Sequence, residues 1–181
     1  SSLYLFGDAT EFAARIPSAL LASVLVFSNI LFLNRAGFSL LASLLGGAML
    51  ATGVLTLILS SVAEIDMTYG ALCAIALYFL YFSSLNPTWR DTLCAYLFAA
   101  LAFLTKGPPI LVFFALALIL FNAWLWFFQQ YRHSTRQLLL AHTAGALLFS
   151  VFVGSWLAAI SYRVGWGVLV HQFQVEILER F

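Results

Sequence analysis

Charge is the scarcest property of this sequence. Only 8% of its 181 residues are Asp, Glu, Lys or Arg, against about 25% in a soluble globular domain. The net charge is +1, with no basic run and no acidic tail, so nothing points to nucleic acid. Cysteine is nearly missing. Cys73 and Cys94 both lie in apolar stretches without metal-ligand spacing, and they read as small, reduced packing residues. No nucleotide-binding loop and no serine or cysteine nucleophile motif occurs. No charged leader precedes a cleavable apolar segment, and the start at Ser1, without Met, reads as a cut.

What is present is apolar bulk. Hydrophobic residues make up 64% of the chain, 18 of them Phe, and the mean hydropathy is +1.02. Such a chain hides its surface in lipid, where a spanning helix needs about 20 apolar residues. Six stretches qualify: 17–33, 40–61, 67–82, 92–105, 108–128 and 138–162. The fourth is short and borrows length from its polar flank. The fold class is therefore all-α, a polytopic transmembrane bundle of about six spans. Residues 1–16 form a juxtamembrane helix, 17–162 the spans and 163–181 an interfacial segment. Asp8 and Glu11 are spaced as a capping box for the first of these. In the second span Ala42, Gly46, Gly47, Ala51 and Gly53 are small enough for close helix approach in lipid. Pro108 and Pro109 sit where a helix starts, where a missing N–H costs little.

The breaks between spans are short and polar, so neighbours are antiparallel and the loops alternate between two faces. Face X takes Asp8, Glu11, Arg15, Glu64, Asp66, Lys106, Arg163, His171, Glu176, Glu179 and Arg180. Face Y takes Arg35, Arg90, Asp91, Arg132, His133 and Arg136. Six of the seven carboxylates thus fall on X, while the basic residues divide four and four. The count of positives does not orient the chain. Face Y carries its positives almost without carboxylates, which favours Y as cytoplasmic.

Ionisable groups at a membrane are costly, so each needs a reason. Lys106, in LTKGPP, sits between two spans beside Gly107 and the start of a helix, a cationic pocket suited to phosphate. A snorkelling lysine at a helix end would look the same. Asp66, in EIDMTYG, could position a hydroxyl or bind a metal, or simply cap its helix. Arg15 lies four residues after Glu11, and Arg180 four after Glu176. These are surface pairs or arginines for lipid headgroups or phosphate. His142 lies within the last span and packs against or bonds a neighbouring helix. His171 has no second ligand spaced to it. Trp89, Trp124, Trp126 and Trp166 mark interfaces.

Four segments together resemble the GT-C glycosyltransferases. They are LFGDATEFAARIPSALLA (5–22), EID with the apolar span behind it (64–82), ALAFLTKGPPILV (100–112) and QFQVEILERF (172–181). The nearest group is the dolichyl-phosphate-mannose protein mannosyltransferases with their bacterial relative, the aminoarabinose–lipid A transferase. The order and spacing agree over nearly the whole chain, and LTKGPP is the most specific of the four.

The resemblance implies an integral membrane enzyme of the bacterial inner membrane. It would move a sugar from a polyprenyl-phosphate donor to a lipid, glycan or protein acceptor on the extracytoplasmic face, making X that face. It implies Lys106, then Arg180 and Arg15, for the donor phosphate, and Asp66 as a supporting catalytic carboxylate. The principal Asp would lie in an outer loop ahead of Ser1, and the fragment alone would be inactive. A divalent metal cofactor is left open. Two other readings stay open: a transporter or flippase of a lipid-linked substrate, and a non-catalytic membrane subunit. Few charges fall at mid-span, which suits a transporter poorly.

Overall fold

The computed structural model describes residues 11–61, 65–86, 88–128, 135–168, 170, 171 and 174. Besides the helical residues 166–168, 170, 171 and 174, seven helices are formed among the described residues. They are α1 (Glu11–Arg35), α2 (Leu40–Ala51), α3 (Val54–Ser61), α4 (Ile65–Leu85), α5 (Trp89–Lys106), α6 (Pro109–Phe128) and α7 (Thr135–Val164). No strand occurs among the described residues. The fold is the all-α membrane bundle that the composition demands, since helices bond their own backbone inside hydrocarbon.

The expected six spans need two corrections. Four helices are long and apolar enough to cross a bilayer: α1 from Arg15, α4, α6 and α7 from Gln137. The expected span 40–61 is broken into α2 and α3, which meet at 57° and could together make a fifth crossing. The break is at Thr52–Gly53. There Thr52 turns its hydroxyl back on the Ala48 carbonyl at 2.8 Å, and its N–H bonds the same carbonyl at 2.9 Å. The expected span 92–105 is α5, whose ends carry Arg90, Asp91 and Lys106, too much charge for its length to count as lipid-spanning on composition. It does not need a greasy surface, because its neighbours cover it.

That covering defines the core. Ala76 and Leu80 of α4 and Ala95, Ala100 and Ala102 of α5 are fully buried, and Phe103, Ile110, Phe114 and Val153 close around them. Small side chains let the two helix backbones approach, which matters in lipid because burial from water no longer drives association. A second cluster joins Ala22 and Leu25 of α1 to Met67 and Ala71 of α4. In α2, Gly46 and Gly47 lie against Leu33 and Ile30 of α1, so two of the small residues marked in the sequence do serve helix approach. The outward faces are left apolar: Val112, Ile119, Phe127, Leu147 and Val151 are each more than 60% exposed.

Polar pairs tie helices across the interior. Tyr78 donates to Asn29 at 3.0 Å, linking α4 to α1. Ser83 and Thr92 share a buried bond of 2.6 Å between α4 and α5. Tyr96 meets His142 Nδ1 at 3.3 Å, tying α5 to α7 as the sequence suggested for that histidine. Beside it, a methyl group built on Gly145 would run into the Tyr96 ring. Cys73 and Cys94 are free thiols.

At the Y end, Arg35 closes α1 and reaches Asp91 in the first turn of α5. Its two terminal nitrogens donate to the two carboxylate oxygens at 2.7 and 2.6 Å. Thr88 caps α5 and donates to Asp91 at 2.7 Å. Burial pushes the Asp91 carboxyl up, but the bonds from Arg35 and Thr88 outweigh it and hold it below the usual carboxylate range. The pair is lopsided, with the Asp91 side chain 7% exposed and that of Arg35 49%.

Two outcomes are expected. Arg35→Ala strands a buried carboxylate and should cost about 2–4 kcal/mol, whereas Asp91→Ala leaves a half-exposed guanidinium and should cost roughly 1–2 kcal/mol. Because the folded carboxyl titrates below its unfolded value, the stabilisation is complete above that unfolded value. It is lost as pH falls through the folded one. Unfolding in mixed micelles at neutral and strongly acidic pH checks both the ranking and its disappearance. Separately, Gly145→Val should destabilise the bundle by about 1–3 kcal/mol through overpacking. Adding Tyr96→Ala should recover part of the loss in the same assay.

Candidate functional site

The loops place Asp66 in the first turn of α4 and Lys106 at the last residue of α5. Since α4 and α5 run antiparallel, both fall at the X end. There they touch: the Lys106 ammonium donates to an Asp66 carboxylate oxygen in a short, charge-assisted bond. The two residues singled out separately in the sequence are thus one pair. Their side chains remain 36% and 45% exposed, so the pair is open to a ligand arriving from face X.

The local fold explains the placement. α5 ends because Gly107 adopts φ +83°, which side chains other than glycine resist, while its N–H still bonds the Phe103 carbonyl at 2.7 Å. Pro108 then turns the chain and Pro109 starts α6, close to where their positions suggested. The chain therefore reverses directly behind Lys106, and the ammonium stands at the lip of the hairpin. Its Nζ also lies 5.9 Å from the centre of the Tyr69 ring, one turn below Asp66 on α4, within range of a cation–π attraction.

The start of α6 contributes less to anion binding than the sequence reading expected. Pro108 and Pro109 carry no N–H, Leu111 spends its N–H on the Pro108 carbonyl at 2.9 Å, and Ile110 is fully buried. The positive charge at this lip is therefore the ammonium itself. An ammonium has three N–H donors. With one on Asp66, two remain for an incoming phosphate oxygen.

Of the other expected phosphate ligands, Arg15 is exposed on α1, toward X. It lies about 10 Å along that helix beyond Ala22, which packs with Met67. Arg180 lies outside the described residues, as do Asp8, Glu64 and Glu176. Arg163 and His171 are exposed. No group of three or more His, Cys, Asp or Glu with metal-binding proximity occurs among the described residues.

Arg35 and Asp91, assigned to face Y without a role by their loops alone, form the matching ion pair at the opposite end. Their signal was present in part: Thr88 and Asp91 have the three-residue spacing of a helix cap. The partner, 56 positions earlier, had no sequence mark.

Antiparallel apolar helices with their described charges gathered at two ends define an integral membrane protein, and the lysine–carboxylate pair open on one of those ends is its candidate site. The comparisons give it a family. The sequence model described as dolichyl-phosphate-mannose-protein mannosyltransferase matches residues 1–158, and the chain belongs to that family. It is accordingly a membrane glycosyltransferase of the GT-C type. No curated protein and no solved structure matches the chain.

If the Lys106–Asp66 contact serves chemistry, it should do little for stability. A double-mutant cycle with Lys106→Met and Asp66→Asn should give a coupling below about 1 kcal/mol, as for other partly exposed pairs. A coupling well above that, measured by unfolding in mixed micelles, would make the pair a structural clamp.

Proposed function

We propose that this chain carries the face of a glycosyltransferase that takes a sugar from a polyprenyl-phosphate donor in a bacterial inner membrane. The sugar passes to a lipid, glycan or protein acceptor on face X, which is then the extracytoplasmic face. Family membership supports sugar transfer. The observation that carries the site is the contact between Lys106 and Asp66 at the open X end of α4 and α5.

In such a transfer the acceptor hydroxyl gives up its proton to a carboxylate base of the enzyme as it attacks the anomeric carbon, while the bond to the donor phosphate breaks. The leaving phosphate takes the bonding electrons and gains negative charge. In this reading Lys106 neutralises that charge as it grows, which is the interaction that lowers a barrier rather than merely binding substrate. Arg180 and Arg15 are the second and third cations of this reading. Asp66 supports the reaction by holding the lysine toward X and by offering its other oxygen to the acceptor hydroxyl. The described Asp, Glu, Lys and Arg residues stand at or near helix ends, which favours transfer at one face over transport through the midplane.

The test is turnover and donor binding by the full-length enzyme in proteoliposomes. Lys106→Ala should lower transfer by about 100-fold or more, with weaker binding of the polyprenyl-phosphate sugar. Asp66→Asn should lower it less. Full turnover and unchanged donor affinity in Lys106→Ala would remove the phosphate role. Lipid translocation without sugar transfer would favour the flippase.

A further inference from the structure

The Y end holds a feature that glycosyl transfer at X does not use. Between α1 and α4 lies a cavity of about 230 Å³, lined by Ser28, Phe32, Ile75, Tyr78, Phe79 and Phe82, with Arg35 at its Y end. Phe32 and Tyr78 stack with centroids 4.3 Å apart, and the Arg35 guanidinium lies 4.1 Å from the centre of the Phe82 ring. Leu31, on its rim, is 54% exposed, so the cavity opens where lipid surrounds the bundle. Along α1 the lining reaches Ser28, about 10 Å deeper than Arg35 at about 1.5 Å per residue.

We infer that this cavity is a binding site for one anionic phospholipid of the leaflet at face Y, its headgroup phosphate on Arg35 and part of an acyl chain against the aromatic wall. The charge order fits that occupant. A guanidinium has five N–H donors. Asp91 takes two of them, and the other three have no partner among the described residues. Asp91 cancels one positive charge here, but Arg90, exposed beside it at the start of α5, leaves the described corner with a net positive charge. Trp89, 53% exposed next to Arg90, is the residue type that settles at headgroup depth. A zwitterionic headgroup would gain less from that corner than an anionic one, and a free phosphate would leave the apolar wall unused.

Native mass spectrometry of the full-length protein decides it, after equilibration with equal amounts of phosphatidylglycerol and phosphatidylcholine. The wild type should retain phosphatidylglycerol over phosphatidylcholine by about five-fold or more, in keeping with basic residues near an anionic lipid. Ser28→Phe fills the cavity and leaves the ion pair intact, and should reduce that retention several-fold. Should Ser28→Phe fail to fold, Arg35→Lys carries the test. It keeps a cation beside Asp91 but gives up the planar fork, and retention should again fall several-fold. Equal retention of the two lipids, no retained lipid because another segment of the chain covers the cavity, or unchanged retention in the folded variant would overturn the site.

Discussion

Everything in this bundle depends on how closely α4 and α5 approach. In water, apolar surface alone would drive two such helices together. In lipid that drive is missing, and association rests on dispersion contacts and interhelical hydrogen bonds. The alanines at 76, 95, 99, 100 and 102 remove the side-chain bulk that would hold the backbones apart. The Ser83–Thr92 bond then fixes the register near the Y end. α1, α6 and α7 pack on this hairpin and turn their remaining surface to lipid.

The same hairpin explains why charge survives in a chain so poor in it. An antiparallel pair brings the first residues of one helix beside the last residues of the other. Asp66 therefore meets Lys106 at X, and Asp91 stands at Y within reach of Arg35. The two pairs differ in character. At Y the carboxylate is buried, forked and capped, which is how a structural tie is built. At X both partners are roughly a third to a half exposed, so either can turn to another partner without stranding a buried charge. Family membership and that exposed pair point the same way.

Much of this was legible from residue order. The apolar runs located the helices, the polar breaks assigned faces, and LTKGPP drew attention to Lys106. The break at Thr52–Gly53 was hidden, because an apolar run containing glycine looks the same whether the glycine packs a straight helix or ends one. Gly46 and Gly47 do the first and Gly53 the second. α5 was read as short because hydropathy measures contact with lipid, and α5 is wrapped by protein. The pairing of Asp66 with Lys106, 40 positions apart, is a property of the hairpin and not of either motif. The ammonium's dominance over the α6 N-terminus needed the hydrogen bonds of Pro108 and Leu111, which no spacing reveals.

The α4–α5 hairpin also acts as a ruler. α5 has 18 residues, a length of about 27 Å, close to the roughly 30 Å of a hydrocarbon core. With the Y end held by the short connection between Leu85 and Trp89 and by the buried Ser83–Thr92 bond, neither helix slides past the other to match a thicker or thinner membrane. α7, with 30 residues, has spare length and can tilt. When bilayer thickness changes, the hairpin keeps its span and the lipids around it must stretch or compress. The distance between Lys106 at X and Asp91 at Y is thus set by protein, and the membrane conforms to it.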